Sequence, residues 1–212
     1  MNDCIEVNGI VIKVSDVGEY DRRCVVLTKE RGKITIFARG AKRMKSPYLA
    51  ATNPFCYGKF NVYPSKDAYS LSSVEISNYF DGLRVDYDKC VLGMHFLEVA
   101  DYYSKENSDD YELLKLLYVS LLALQKDKFD AKLVRSIYII KAIAVNGEFP
   151  GIPTDKGVSK IVEYTITRVI QSDVKTLYTF DLAKEYIDEM FSLSQYYFNK
   201  CIYGNFKTLE FL

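Results

Sequence analysis

The sequence predicts an α+β chain in which a small five-stranded β-barrel, residues 1–80, precedes an α-helical domain, residues 81–212. Three observations carry this. Five short runs rich in Val, Ile, Thr, Tyr and Phe lie within the first 76 residues, each bounded by Gly, Pro, Asn or Asp. From Tyr87 onward the apolar period lengthens to three or four residues. With 49% hydrophobic residues in 212, the chain can bury a core without disulfides or metals.

The strands are read at 7–14, 23–29, 33–38, 55–63 and 69–76. In the first, Gly9-Ile10-Val11-Ile12 precedes Val14, and a period of two sends Ile10, Ile12 and Val14 inward. A tight turn at Arg31-Gly32-Lys33 joins the second strand to the third, because glycine accepts the positive φ that such turns need. Gly40 to Ala51 lacks strand alternation and predicts a basic loop or short helix, the connection that closes one end of a Greek-key barrel. In the second half Val91, Met94, His95 and Val99 share a helix face, as do Leu113, Leu114, Leu117, Leu121 and Leu124. Asp130 is the expected N-cap of a helix over 131–145, stopped by Asn146-Gly147 and Pro150-Gly151. Further helices are expected at 158–171 and 181–203. The latter carries an aromatic and apolar stripe of Tyr186, Ile187, Met190, Phe191, Leu193, Tyr197 and Phe198 that reads as core, with a partner surface as the alternative.

Charge is uneven. The whole chain balances 28 basic against 28 acidic side chains, but residues 1–80 hold 12 against 8 and residues 81–130 hold 6 against 11. Lys29, Arg31, Lys33, Arg39, Lys42, Arg43 and Lys45 crowd into 17 positions beside one acid, Glu30. A run of this density can displace counterions from a phosphate backbone. With Arg22 and Arg23 these form the candidate polyanion-binding set. Tyr20, Phe37, Tyr48, Tyr57, Phe60 and Tyr63 are the aromatics available for stacking, ranked below the cations because aromatic residues in strands mostly fill barrels.

Other chemistries find no support. Cysteines at 4, 24, 56, 90 and 201 include no Cys-x-x-Cys pair, and His95 is the single histidine, so no zinc site is expected from local spacing. His95 sits in the apolar stretch Leu92–Leu97 and reads as a hydrogen-bonded core residue rather than a general base. Phosphate-binding loops, dinucleotide fingerprints, nucleophile elbows and His-Glu-x-x-His helices do not occur. No catalytic residue and no cofactor are expected; the chain reads as a binding protein. It has no apolar run of roughly 18 residues, and Met-Asn-Asp-Cys-Ile-Glu is too acidic for a secretory leader, so a cytoplasmic protein without membrane contact is expected.

Several fragments occur in a recognisable order: Gly9-Ile10-Val11-Ile12, Gly18-Glu19-Tyr20-Asp21, Leu27-Thr28 to Gly32-Lys33, Ala38-Arg39-Gly40-Ala41-Lys42-Arg43, Asn53-Pro54-Phe55, Ser73-Val74-Glu75, Phe96-Leu97-Glu98, Asn146-Gly147-Glu148-Phe149-Pro150 and the terminal Phe206 to Leu212. Together they resemble the bacterial recombination-mediator family RecO across nearly the whole chain. The resemblance implies an N-terminal OB-fold domain, a helical partner-binding domain and a role in DNA repair by the RecF pathway. It implies binding of single- and double-stranded DNA, annealing of complementary strands, and partnership with RecR and with the acidic, apolar C-terminal tail of the single-strand-binding protein (SSB). Through these the protein would help RecA load onto coated DNA, as a nucleoid-associated protein that is a monomer when free. It places Arg22, Arg23, Arg39, Lys42 and Arg43 in the family's basic stretches. Many members carry a four-cysteine zinc module where this chain has only Gly151 to Gly157, so that module is read as lost. The competing expectation is a protein-interaction adaptor whose helical domain binds an acidic, apolar peptide without binding DNA. An RNA-binding barrel is a weaker third, since such barrels accept many ligands.

Overall fold

The computed structural model describes residues 3–212. Five strands, β1 (Ile5–Val17), β2 (Asp21–Thr28), β3 (Gly32–Ala38), β4 (Tyr57–Pro64) and β5 (Tyr69–Asn78), close into a barrel in the order β1-β2-β3-β5-β4. All pairings are antiparallel except β3 with β5, where Ile36 faces Tyr69 and Phe37 faces Ser70. Short helix α1 (Tyr48–Ala51) lies between β3 and β4. The helices that follow are α2 (Asp81–Arg84), α3 (Tyr87–Tyr103), α4 (Tyr111–Gln125), α5 (Ala131–Val145), α6 (Lys160–Gln171) and α7 (Lys184–Cys201), with 3₁₀ turns at Val174–Thr176 and Lys207–Glu210. The chain divides into two compact units, Met1–Asp81 with Ala100–Leu114, and Gly82–Val99 with Lys115–Leu212.

In the first unit the barrel interior holds Val7, Val11, Cys24, Val26, Ile34, Ile36, Cys56, Phe60 and Val62. This corrects the inward set expected for β1. Val14 packs against the interior, but Ile10 and Ile12 are buried without belonging to it. The cause is a bulge between Val11 and Lys13, where the pairing with β2 shifts register and strict alternation is lost. Ile10, Ile12 and Leu27 are buried all the same, so β1 and β2 are covered on both faces and read as continuous apolar runs.

Helix α1 closes an end of the barrel: the interior thiols Cys24 and Cys56 contact the carbonyls of Thr52 and Ala50. Burial raises the Cys24 thiol to about 12, which keeps it an inert filler. At the β2–β3 turn Gly32 has φ +61°, and a Cβ there would lie 2.4 Å from the Lys105 carbonyl oxygen. The left-handed turn and the close approach both require glycine. The segment after α3 docks here, with Lys33 N–H donating to the Lys105 carbonyl and Asn107 N–H to that of Arg31.

The second unit is helical. Asp130 caps α5 by accepting from Lys132 N–H at 2.8 Å, and Ser159 caps α6. On α7, Ile187, Met190, Leu193, Tyr197 and Phe198 are buried while Phe191 is only partly covered. Buried Lys141 donates to the carbonyls of Ile170 and Ser172 at the C-terminal end of α6, placing a cation where the helix dipole favours one.

His95 is fully buried on α3 and packed against the rings of Phe198 and Phe206. Its Nδ1 lies 2.9 Å from Thr208 Oγ1. The Thr208 hydroxyl donates its only hydrogen to Glu98, 2.6 Å away, so the ring must donate through Nδ1–H. Nε2 is then the lone-pair nitrogen and has no partner among the described residues. Glu98 also accepts the backbone N–H of Lys207 and Thr208, which latches the C-terminal turn onto α3. Burial lowers the His95 pKa from 6.5 to about 3. The unfolded chain therefore binds the extra proton between those values, and the contribution to stability is complete above pH 6.5 and lost as pH falls toward 3. Relative to His95→Leu, the parent is expected to lose about 1.4 kcal/mol of stability for each pH unit lowered across that window. Denaturant unfolding at several pH values checks it, and parallel pH profiles for the two proteins would refute it.

Candidate nucleic-acid interface

The nine predicted cations do not form one patch. Arg22 faces Ala38 near one end of the β2–β3 hairpin and Thr28 faces Gly32 at the other, about 20 Å away at 3.3 Å per residue. Arg22, Arg23, Arg39, Lys42, Arg43 and Lys45 gather at the first end; Lys29, Arg31 and Lys33 belong to the second.

At the second end Lys33 is committed internally, with Nζ 2.8 Å from both the Asp101 carbonyl and its carboxylate. Lys29 lies over the ring of Tyr111. Arg31 lines a groove together with Glu6 and Glu30, two carboxylates that repel a polyanion.

At the first end two residues also have structural partners. Arg22 Nη1 donates to the Leu49 carbonyl, Thr52 Oγ1 and Asn53 Oδ1, each at 3.0 Å, and so braces α1 against β2. Its side chain is 17% exposed, which withdraws it from any phosphate contact. Lys42 pairs with Asp16 at 2.8 Å, and that hydrogen bond holds the Asp16 carboxyl below its usual range. Arg23, Arg39, Arg43, Lys45 and a further cation outside the predicted set, Lys66, are exposed. Of these Arg39, Lys45 and Lys66 have no ion pair among the described residues, Arg43 lies over the ring of Tyr20, and Arg23 reaches Thr35 at 3.4 Å. Nothing in the sequence marks Lys66, because the β4–β5 loop reads only as a separator between strands.

The loops set this geometry. A groove beside β3 is lined by Asp21, Phe37 and Arg39, by Ser65, Lys66, Asp67 and Ala68 of the β4–β5 loop, and by Tyr69 and Ser70 at the start of β5. Asp21 accepts the N–H of Gly40 at 2.7 Å, so the basic loop starts from the groove's edge. Phe37 is partly exposed in the groove, Tyr20 and Tyr63 are 44% and 46% exposed, and Tyr63 faces Ser70 across the strands. Two of the other aromatics serve the fold: Phe60 fills the barrel, and the Tyr48 hydroxyl donates to the Ser72 carbonyl.

A closed five-stranded barrel in this strand order, with an end helix between the third and fourth strands, is an OB-type barrel, here followed by a helical domain; the groove beside its third strand carries Arg39 and Lys66 together with Asp21 and Asp67. The family model described as Recombination protein O N terminal matches residues 1–80. Over 98% of its length the chain is 27% identical to DNA repair protein RecO of Acetivibrio thermocellus, covering 96% of that protein. It is 29% identical to the protein of the same name from Clostridium novyi and 31% to that from Clostridium acetobutylicum, in each case covering 56% of the relative. The chain is thus similar to the RecO family of DNA repair proteins, through its N-terminal 80 residues to the family model and, at 27% identity, over nearly its whole length to one named member.

Zinc does not fit the segment from Gly151 to Gly157. It contains neither cysteine nor histidine, and Asp155 is its one potential ligand. Among the described residues no three of His, Cys, Asp and Glu converge to hold a metal, and no helix is long and apolar enough to cross a membrane.

Proposed function

We propose that the barrel binds DNA strands along the groove beside β3 and anneals complementary strands, acting as a non-enzymatic mediator. The observation that carries this reading is the groove in which Arg39 and Lys66 stand beside the partly exposed Phe37 ring, with Tyr63 paired to Ser70 at its wall and the loop that leads to Arg43 and Lys45 tied to its edge through Gly40 and Asp21. The cations neutralise phosphates, and the rings offer stacking platforms that tolerate any base. Two strands held with their charge screened can then meet by base pairing alone. RecR, the SSB tail and, through them, RecA are the proposed partners, and the cytoplasm the proposed location. Fluorescence anisotropy of a labelled single strand across a salt series, repeated with its complement, tests this. Salt-sensitive binding with faster annealing is the expected result, and neither effect at low salt would overturn it.

One observation favours the adaptor as a second reading. In the helical unit Lys132 of α5, half exposed and paired with Asp188, lies 5.5 Å from the centroid of the partly covered Phe191 ring, and buried Arg135 lies 5.2 Å from it. Two cations beside an aromatic suit a peptide ending in acidic and apolar residues. Peptide binding that Lys132→Ala weakens, in a protein that does not bind oligonucleotide, would select the adaptor over the mediator.

A further inference from the structure

The basic loop presents one long, flexible apolar side chain directly to solvent. Met44 is 95% exposed, the largest value among the exposed large apolar side chains of the described residues, and stands between exposed Arg43 and Lys45. The loop holds its shape without it. Gly40 N–H donates to Asp21, Lys42 N–H to the Tyr20 carbonyl at 2.9 Å, Arg43 N–H to the Gly40 carbonyl at 3.1 Å, and Ser46 N–H to the Arg43 carbonyl at 2.9 Å. The Lys42–Asp16 ion pair and the packing of Arg43 on Tyr20 add side-chain anchors. The backbone is thus ordered by its own bonds, and the thioether is held in water where it contributes nothing to the core.

Building on the reading of this barrel end as a DNA-binding surface, we infer that Met44 is a wedge that enters between adjacent bases and unstacks them while Arg43 and Lys45 hold the neighbouring phosphates. An unbranched, polarisable side chain suits this, because it fits between flat rings without demanding a particular base. Apolar wedges flanked by cations are a general means of opening a base step, with the unstacking cost offset by the phosphate contacts. Unstacked bases are free to pair, so the wedge would raise the rate of annealing more than the affinity for a strand.

The test uses an oligonucleotide carrying 2-aminopurine, whose fluorescence rises on unstacking, with anisotropy measured in the same titration. The parent protein is expected to raise the fluorescence several-fold. Met44→Ser should lose most of that rise and much of the annealing rate while keeping affinity and salt dependence, and Met44→Leu should retain both. An equal rise with Met44→Ser would overturn the wedge and leave the DNA-binding reading standing. Absence of any anisotropy change with the parent protein at low salt would overturn both.

Discussion

Arg22→Ala is expected to lower the unfolding free energy by about 3 kcal/mol, because it deletes three hydrogen bonds from a charged donor to partly buried acceptors. The acceptors are Leu49, Thr52 and Asn53, 27 to 31 residues away in sequence, so the loss falls on the attachment of α1 and the barrel end it closes. Arg22→Lys should recover little of it, since an ammonium cannot reproduce the planar fork of a guanidinium. Equilibrium denaturation measures the loss. Oligonucleotide binding near neutral pH and low temperature, where the variant stays folded, separates this role from phosphate contact. The salt slope of the variant should match that of the parent. A variant of full stability whose slope falls by the equivalent of about one phosphate would return Arg22 to the DNA-binding set.

The second large effect concerns Arg39, Arg43 and Lys45. Replacing all three by Ala should reduce the logarithmic salt slope for single-stranded DNA by about 2, at roughly 0.7 for each phosphate left without its cation, and weaken binding at low salt by about two orders of magnitude. Stability should change little, because these side chains are exposed and Arg43 alone of the three has a partner, the ring of Tyr20. Lys29→Ala with Arg31→Ala, at the far end of the hairpin, should have a much smaller effect on the slope. The reverse ranking would move the interface to the groove that Glu6, Glu30 and Arg31 line.

Features set by neighbours in the chain are legible in the sequence. Five strands end within about three residues of the bounds expected from their composition, Gly32 has the positive φ its turn requires, and Asp130 caps the helix it precedes. His95 reads as a hydrogen-bonded core histidine from the apolar residues around it, although its partner Thr208 lies 113 residues away. The bulge in β1 is not legible, because Ile10, Val11 and Ile12 are equally apolar and nothing local marks which of them faces the interior.

By itself the sequence determined a barrel followed by helices, a basic stretch between the third and fourth strands, and the residues that stop and start each element. These depend on backbone conformation and periodicity, which act over a few residues. Only the tertiary structure decided which cations are available. Arg22, Lys33 and Lys42 look equivalent to Arg39 and Lys45 in the chain, yet their partners lie 26 to 68 residues away and occupy them. The same folding brings Lys66, 27 residues beyond Arg39 in sequence, to the groove that Arg39 lines. A side chain's charge is a local property, but whether that charge is free to meet a phosphate depends on what the fold places beside it.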